Sequence, residues 1–208
     1  MARNTHSYVP AMGTDRLLRL YDPLTTLLGV RRLHRDLVDG AGIAAGLQVL
    51  EIGCGTGNLA LQIAERFPDA HVCGLDPDPR ALTIARAKAR RRGVAVQWDE
   101  GSATDLPYPD ASMDRVVSSL MFHHLEGIER DRALEEVRRV LRPDGQLHLV
   151  DFVAHGHGLH AWISRRSRRI DANGGAAIPE LMTRAGLREV TARPGRNRLG
   201  TMAYRAQR

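Results

Sequence analysis

The sequence predicts an α/β fold, a doubly wound and mostly parallel sheet with helices on both faces and an antiparallel C-terminal hairpin. Between residues 47 and 152, short apolar runs alternate with segments whose apolar residues recur at helical spacing. This alternation is typical of parallel sheets, because successive parallel strands need a crossover connection, usually a helix. Two apolar runs near the C-terminus flank a short polar loop, which favours an antiparallel edge.

The predicted elements of the central region follow one another in regular order. Strands are predicted at 47–52, 71–75, 94–98, 115–119 and 146–152, with helices at Asn58–Arg66, 80–92 and 129–141. The last helix must stop before Pro143, since proline disfavours helix at the preceding residue. Pro143-Asp144-Gly145 therefore predicts a turn into the fifth strand.

The two ends of the chain complete a single predicted domain of 1–208. Leucines at near-helical spacing predict a helical cap at 14–40, broken at Pro23. The predicted core at 47–152 is followed by a loop or helix at 153–178 on the substrate side. A short helix at 179–185, closed by Gly186, then leads into strands at 187–191 and 201–206.

Cysteine usage and hydropathy indicate a cytoplasmic protein. Cys54 and Cys73 are the only cysteines, too few for a disulfide framework, which fits a reducing compartment. Residues 1–13 have no apolar core of signal-peptide type. No apolar run approaches the roughly 18 residues of a membrane-spanning helix.

The net charge of +6 is concentrated near the C-terminus, where residues 151–208 hold 11 arginines against four acidic residues. A solvated basic surface is the simplest interpretation. The arginine-rich run at 165–169 leaves two other interpretations open: attraction of an anionic substrate, or contact with an anionic membrane surface.

The most informative motif is Val49-Leu50-Glu51-Ile52-Gly53-Cys54-Gly55-Thr56-Gly57, an apolar strand that runs into alternate glycines. Glycine permits positive φ and has no Cβ to keep a ligand away from the backbone. Asp76 ends the next predicted strand, where a carboxylate can accept hydrogen bonds from two sugar hydroxyls. A helix cap directed at Arg80 is another possible role for Asp76. Together the glycines and the carboxylate indicate a nucleoside cofactor.

Four further motifs follow the glycines in order: Leu75-Asp76, Gly101-Ser102-Ala103-Thr104-Asp105-Leu106-Pro107, Met113-Asp114-Arg115-Val116-Val117 and Leu141-Arg142-Pro143-Asp144-Gly145-Gln146-Leu147. With these motifs the chain resembles the class I S-adenosylmethionine-dependent methyltransferases. It is most similar to their ubiquinone- and menaquinone-biosynthesis-like small-molecule group. The resemblance covers residues 47–152 well.

The resemblance implies a seven-stranded sheet with a reversed final hairpin and a binding site for S-adenosylmethionine. In such a site Asp76 would bind the ribose hydroxyls, and Ser118 would lie near the amino acid end of the cofactor. An unliganded small strand-end residue is the alternative for Ser118. The other implied cofactor-binding residues are Glu51, Gly53, Cys54, Gly55 and Gly57 under the methionine part, Pro77 beside the adenine, and Ser102 and Ala103 at the adenine edge.

Two other classes of protein are disfavoured by the same residues. Dehydrogenases use Gly-x-Gly-x-x-Gly, and Asn58 stands where their third glycine would fall. Ser118-Ser119-Leu120-Met121 ends strand four, unlike the Asp/Asn-Pro-Pro-Tyr type of motif in enzymes that methylate DNA amino groups. We therefore expect no nucleic acid partner, and a nucleic-acid methyltransferase is the less favoured alternative.

Methyl transfer from a sulfonium needs mainly orientation of the nucleophile, so candidate catalytic residues are few. His123 follows strand four, at the edge where doubly wound sheets bind ligands, and can take up a proton near neutral pH. Tyr21 resembles an N-terminal tyrosine that in relatives closes over the methyl group. Packing is the alternative for both residues.

We expect no metal, because no nearby cysteine or glutamate completes a set around His155, His157 and His160. That cluster is interpreted as a substrate-facing loop. The predicted function is methyl transfer to a small-molecule acceptor at oxygen, nitrogen or carbon. A non-catalytic protein that binds the cofactor for assembly or regulation is the alternative from another class. The acceptor and the oligomeric state stay open.

Overall fold

The computed structural model describes residues 30–152, 174–195 and 200–208. Tyr21, the three-histidine cluster and the arginine-rich run at 165–169 lie outside these residues. The described helices are α1 (Val30–Gly40), α2 (Asn58–Arg66), α3 (Pro79–Arg92), α4 (Ile128–Val140) and α5 (Gly174–Arg184), with a short 3₁₀ turn at Phe122–His124. The strands are β1 (Gln48–Ile52), β2 (His71–Asp76), β3 (Gln97–Glu100), β4 (Met113–Ser119), β5 (Leu141–Phe152), β6 (Arg188–Pro194) and β7 (Thr201–Gln207).

The seven strands form one sheet in the order β3-β2-β1-β4-β5-β7-β6. Strands β1 to β5 pair in parallel, whereas β7 is antiparallel to both β5 and β6. The predicted doubly wound sheet and its antiparallel C-terminal hairpin are confirmed. The direction of strand addition reverses between β1 and β4, and open α/β sheets bind ligands beside such a reversal, at the carboxyl ends of the strands.

Neighbouring residues of the central strands face opposite sides of the sheet, and each side has its own apolar core. Leu50 and Val116 pack with Leu134 of α4 and Met182 of α5. Their neighbours Val49 and Val117 pack on the other side, with apolar residues of α1 and α2. This two-residue alternation is what a sheet covered on both faces requires. Within the described ranges, no helix has both the length and the apolar character needed to cross a membrane.

The third strand begins later than the sequence analysis predicts. The predicted range is 94–98, but β3 spans Gln97–Glu100 and its pairing with β2 starts opposite Cys73. Gly93 ends α3 with a φ of 66°, and the backbone N–H of Val94 still donates to Ala89 in the last turn. Residues 94–96 therefore connect the helix to the strand.

The predicted turn at Pro143-Asp144-Gly145 lies inside β5 rather than before it. Met113 pairs with Leu141 and Arg115 with Gln146, so the register shifts by three residues at this point. The turn residues form an irregularity in a strand that starts directly after α4. Helix α5 also begins earlier than predicted, at Gly174, with Pro179 inside it.

Candidate functional site

The candidate site lies at the carboxyl ends of four adjacent parallel strands. Residues 53–57, here called the glycine loop, connect β1 to α2. Asp76 is the last residue of β2, and His123 follows β4 in the 3₁₀ turn. Asp151 lies near the end of β5. Parallel pairing brings these strand ends to one edge of the sheet, so residues distant in sequence meet there.

The three glycines of the loop all have positive φ, but their surroundings differ. Their φ values are 70° at Gly53, 52° at Gly55 and 80° at Gly57. A Cβ atom on Gly53 would lie 2.2 Å from Cγ of Met121, and one on Gly57 would lie 2.4 Å from the Trp98 ring. A Cβ atom on Gly55 would meet nothing within 4 Å. Protein packing thus accounts for Gly53 and Gly57, and Gly55 presents open backbone to a ligand.

Asp76 connects the end of β2 to the glycine loop. Its Oδ2 accepts from the Gly55 N–H at 2.7 Å, and its Oδ1 accepts from the Asp78 N–H at 2.9 Å. Burial raises the pKa of Asp76, although the two backbone hydrogen bonds oppose that rise. Each carboxylate oxygen has a second lone pair, so Asp76 can still accept from ligand hydroxyls. Pro77, which follows it, is exposed.

The alternative role for Asp76, a helix cap directed at Arg80, is wrong. Asp78 fills that role, because its Oδ1 accepts from the Arg80 N–H at 2.9 Å and it is the N-cap residue of α3. Asp and Asn are preferred at this position because their side chains satisfy an unpaired N–H of the first turn. Asp76 is thereby left with its bonds to the glycine loop and to Asp78.

Glu51 and Ser118 are buried and support the start of the glycine loop. Oε2 of Glu51 accepts from the Ala60 N–H at 2.7 Å, in the first turn of α2. Burial raises the pKa of Glu51 well above its ordinary value, a rise that the Ala60 bond opposes and the nearby Asp76 increases. Oγ of Ser118 donates to the Ile52 carbonyl at 3.0 Å. Glu51 therefore ties the end of β1 to the first turn of α2, and Ser118 ties the end of β4 to the end of β1.

The Cys54 side chain is also buried within this site. Burial raises the pKa of its thiol far above the ordinary range, and the charges of Glu51 and Asp76 raise it further. A thiol in such surroundings stays protonated and is a poor nucleophile. Cys54 therefore acts in the glycine loop as a small packing residue.

Ser102 and Ala103 follow β3, and the structure gives them different environments. The Ser102 hydroxyl lies 2.8 Å from the Thr104 hydroxyl and accepts from the Thr104 N–H at 3.2 Å. Its side chain is exposed, whereas Ala103 is buried in the core. The N–H of the preceding Gly101 donates to the Asp76 carbonyl at 3.3 Å, which places this turn beside the end of β2.

Lys88 is a site residue whose role sequence reasoning missed. From α3 its buried ammonium group donates to the Thr56 carbonyl and hydroxyl oxygens and to Oδ1 of Asn58, at 3.1, 2.9 and 2.9 Å. It thereby ties the glycine loop and the start of α2 to α3. The available signal was compositional: the chain has a single lysine, surrounded by arginines, on an otherwise apolar helix face.

His123 and Asp151 form a hydrogen-bonded pair at the ends of β4 and β5. Nδ1 of His123 lies 2.7 Å from Oδ1 of Asp151, and the His123 backbone N–H donates to Oδ2 at 2.9 Å. Asp151 is 1% exposed, while the His123 side chain is 19% exposed. Sequence reasoning found His123 but missed Asp151. An aspartate in an apolar, buried strand is the signal, since buried carboxylates are normally paired.

Two ring contacts hold the side chain of His123, and a neighbouring residue links its turn to the glycine loop. Its ring lies 4.1 Å from the His124 ring and 5.2 Å, edge to face, from the Phe152 ring, measured between centroids. Met121, two residues earlier, packs directly against Gly53 of the glycine loop. The histidine therefore belongs to the same edge of the site as the loop.

The Ser119 hydroxyl is buried and has no hydrogen-bond partner among the described residues. Buried hydroxyls are normally satisfied, so a group bound at the end of β4 would complete this one. Together with open backbone at Gly55 and acceptor capacity at Asp76, this hydroxyl fits S-adenosylmethionine, the cofactor that the resemblance implies. Within residues 30–152, 174–195 and 200–208, no group of three or more His, Cys, Asp and Glu residues is arranged to hold a metal.

Comparison with known proteins identifies relatives of the site-bearing region. Residues 49–145 match the family model described as a methyltransferase domain. The chain is 41% identical over 135 residues to demethylmenaquinone methyltransferase of Thermus thermophilus, covering 64% of this chain and 60% of that protein. It is 35% identical over 148 residues to the enzyme of the same name from Deinococcus radiodurans, covering 70% and 61%. The chain thus spans about three fifths of the length of these relatives.

Solved structures share the fold at low sequence identity. A protein from Methanococcus maripaludis, described as an S-adenosyl-L-methionine-dependent methyltransferase, has a TM-score of 0.75 at 16% identity, covering 100% of this chain and 97% of that one. The [4+2]-cyclase SpnF has a TM-score of 0.73 at 22% identity, covering 85% and 80%. These likenesses concern the fold alone, and the reaction must be argued from the site.

Proposed function

We propose that the chain is a class I S-adenosylmethionine-dependent methyltransferase, which transfers a methyl group from this cofactor to a small-molecule acceptor. The observation that carries the proposal is the 2.7 Å hydrogen bond from the Gly55 N–H to Asp76. It joins open backbone of the glycine loop to a carboxylate with spare lone pairs, beside the reversal of strand order. A ligand with paired hydroxyls and an extended polar end suits this geometry.

When bound, the cofactor supplies an electrophilic methyl group, and the protein supplies orientation. In this proposal Asp76 accepts from the ribose hydroxyls, and Gly55 allows close approach of the methionine part. Pro77, Ser102 and Ala103 lie beside the adenine, on the β2 and β3 side. Near the end of β4, His123 accepts a proton from the acceptor as the nucleophile forms its bond to carbon.

We propose a quinol precursor as the first acceptor to test. The support is the name of the Thermus thermophilus and Deinococcus radiodurans relatives, demethylmenaquinone methyltransferase. His123 gives independent support, because a base is useful when the acceptor must lose a proton from oxygen or carbon. Other phenols and amines form the comparison set.

We further propose that the protein works as one domain in a reducing compartment, the cytoplasm. One sheet contains strands from both the central and the C-terminal described ranges, which supports the single domain. Cys54 and Cys73 are both free and buried, which supports the compartment.

The test is release of S-adenosylhomocysteine by the purified protein with reduced naphthoquinone precursors, phenols and amines. Binding of S-adenosylmethionine is measured in parallel by calorimetry. The proposal expects cofactor binding and turnover with at least one acceptor, both lost in Asp76→Ala while circular dichroism stays unchanged. Cofactor binding without turnover across the panel would favour a non-catalytic binding protein. Absence of cofactor binding would contradict the proposal altogether.

A further inference from the structure

We propose that Asp151 is a positioning residue for methyl transfer, holding the His123 imidazole with its hydrogen on Nδ1 and its Nε2 free to take a proton. The inference rests on the proposed function and adds a residue that acts through His123. Two atoms of His123, Nδ1 and the backbone N, bind the two oxygens of one carboxylate, at 2.7 and 2.9 Å. Such a paired contact fixes both the place of the residue and the rotation of its ring.

The chemistry of the carboxylate determines the tautomer. An ionised carboxylate only accepts hydrogen bonds, so Nδ1 must carry the hydrogen that lies between it and Oδ1. In the neutral imidazole this leaves Nε2 with its lone pair. The 19% of the His123 side chain that remains exposed gives a reacting group access to the ring.

The hydrogen bonds of Asp151 make His123 the side chain that its negative charge can stabilise. Its oxygens accept from three N–H groups, those of His123 Nδ1, the His123 backbone and the Phe152 backbone, the last at 2.7 Å. Among the ion pairs of the described residues, its partner is His123. A buried carboxylate in this position stabilises the imidazolium that forms when Nε2 takes a proton, as the aspartate does in Ser-His-Asp triads.

The proton transfer balances within the proposed reaction. Nε2 of His123 accepts the proton of an acceptor O–H or acidic C–H. The electron pair released on oxygen or carbon forms the new bond to the methyl carbon, while the methyl–sulfur bond breaks and its electrons stay on sulfur. His123 then returns its proton to solvent. Asp151 remains ionised throughout.

The first test reads the tautomer directly and needs no turnover. Histidine nitrogens of the ¹⁵N-labelled full chain are observed by long-range ¹H–¹⁵N NMR, with His123→Gln used to assign the signals. We expect the Nδ1–H form in the wild type and a shift to the Nε2–H form in Asp151→Ala. The reason is that alanine removes both carboxylate oxygens, so the Nδ1–H group loses its acceptor. Wild-type hydrogen on Nε2, or an unchanged tautomer in a folded Asp151→Ala variant, would overturn the inference.

Three other histidines serve as controls for the NMR experiment. His71→Gln, at the exposed start of β2, should leave the His123 signals unchanged. His34 and His148 stay neutral at pH 5 to 6, because burial lowers the pKa of each to about 4. Their signals therefore keep one protonation state over that pH range. Since this readout does not depend on an acceptor, failure of the proposed function leaves it interpretable.

The second test is kinetic and uses the acceptor that gives turnover. Asp151→Asn should lower kcat by about 10- to 100-fold, less than the 10²- to 10⁴-fold that a general acid or base itself contributes, because the imidazole is still present. KM and cofactor affinity should stay within about twofold, because neither is assigned to Asp151. Asp151→Glu should recover part of the loss, and Asp144→Asn, exposed in the same strand, should match wild type. Wild-type kcat in Asp151→Asn, or equal losses in kcat and cofactor affinity, would overturn the positioning role.

Discussion

The ammonium group of Lys88 donates to both oxygens of Thr56, the carbonyl at 3.1 Å and the hydroxyl at 2.9 Å. These contacts join two segments 32 residues apart in the chain and hold the glycine loop against α3. A buried lysine is costly unless its charge is met by acceptors, as it is here. Loop geometry and cofactor binding should therefore both depend on this side chain.

Lys88→Met keeps the apolar stem and removes the donor. We expect the free energy of unfolding to fall by about 1–3 kcal/mol, because buried oxygens lose a charged partner. Affinity for S-adenosylmethionine should fall as well, since the loop is no longer held. Urea unfolding and calorimetry measure the two effects. Arg91→Met, exposed on the same helix, should change neither. Equal stability of the Lys88→Met variant and the wild type would contradict the structural role.

Gly53→Ala and Gly55→Ala separate packing from ligand approach within one loop. Both place a Cβ at positive φ, a strain of about 1–2 kcal/mol. At Gly53 the new atom also meets the Met121 side chain, which adds about 1–3 kcal/mol of overpacking. Gly53→Ala should therefore unfold at lower urea than Gly55→Ala. For the same loss in free energy of unfolding, Gly55→Ala should weaken cofactor binding more than Gly53→Ala does. The reverse order in either measurement would contradict the assignment.

Glu51→Gln tests the buried carboxylate through the pH dependence of stability. Burial raises its pKa in the folded state, so the folded protein holds the proton more tightly than the unfolded chain. Stability from this group is then present at low pH and is lost as pH rises through the raised pKa.

Glutamine can accept from the Ala60 N–H and carries no charge to bury. Relative to wild type, Glu51→Gln should therefore become more stable as pH rises from 5 to 8, because only the wild type must bury a charge when it loses its proton. Urea unfolding at both pH values measures this difference, and Glu65→Gln, which is exposed on α2, is the control. A difference between variant and wild type that does not depend on pH would contradict a raised pKa.

His123→Gln tests the proposed base. Turnover should fall by about 10²- to 10⁴-fold, the usual contribution of a positioned acid or base. Cofactor affinity should stay near wild type, because the imidazole is assigned to the acceptor. Steady-state kinetics and calorimetry give the two numbers, and His71→Gln is the matched control at the other end of the sheet. A fully active variant would return His123 to a packing role.

Local pattern was sufficient for most of the elements. Helix α2 begins and ends at the predicted residues, because its apolar period and flanking glycine are properties of neighbouring residues. The strand that carries the glycine motif ends at the predicted residue and begins one residue later, at Gln48, and β2 extends one residue beyond its predicted end to include Asp76. Boundaries failed where a non-local bond decides them, as at β3, whose start depends on pairing with Cys73.

By itself, the sequence determined the doubly wound order of elements, and it predicted the group of residues that we propose to bind the cofactor. Only the tertiary structure decided the partners of the buried polar groups: Asp151 with His123, Lys88 with Thr56, and Asp78 in place of Asp76 as the cap of α3. The physical reason is the separation along the chain of the residues that decide each feature. Periodicity follows from residues three or four apart, whereas a buried charge is satisfied by whichever groups the adjacent strands and helices bring within hydrogen-bonding distance.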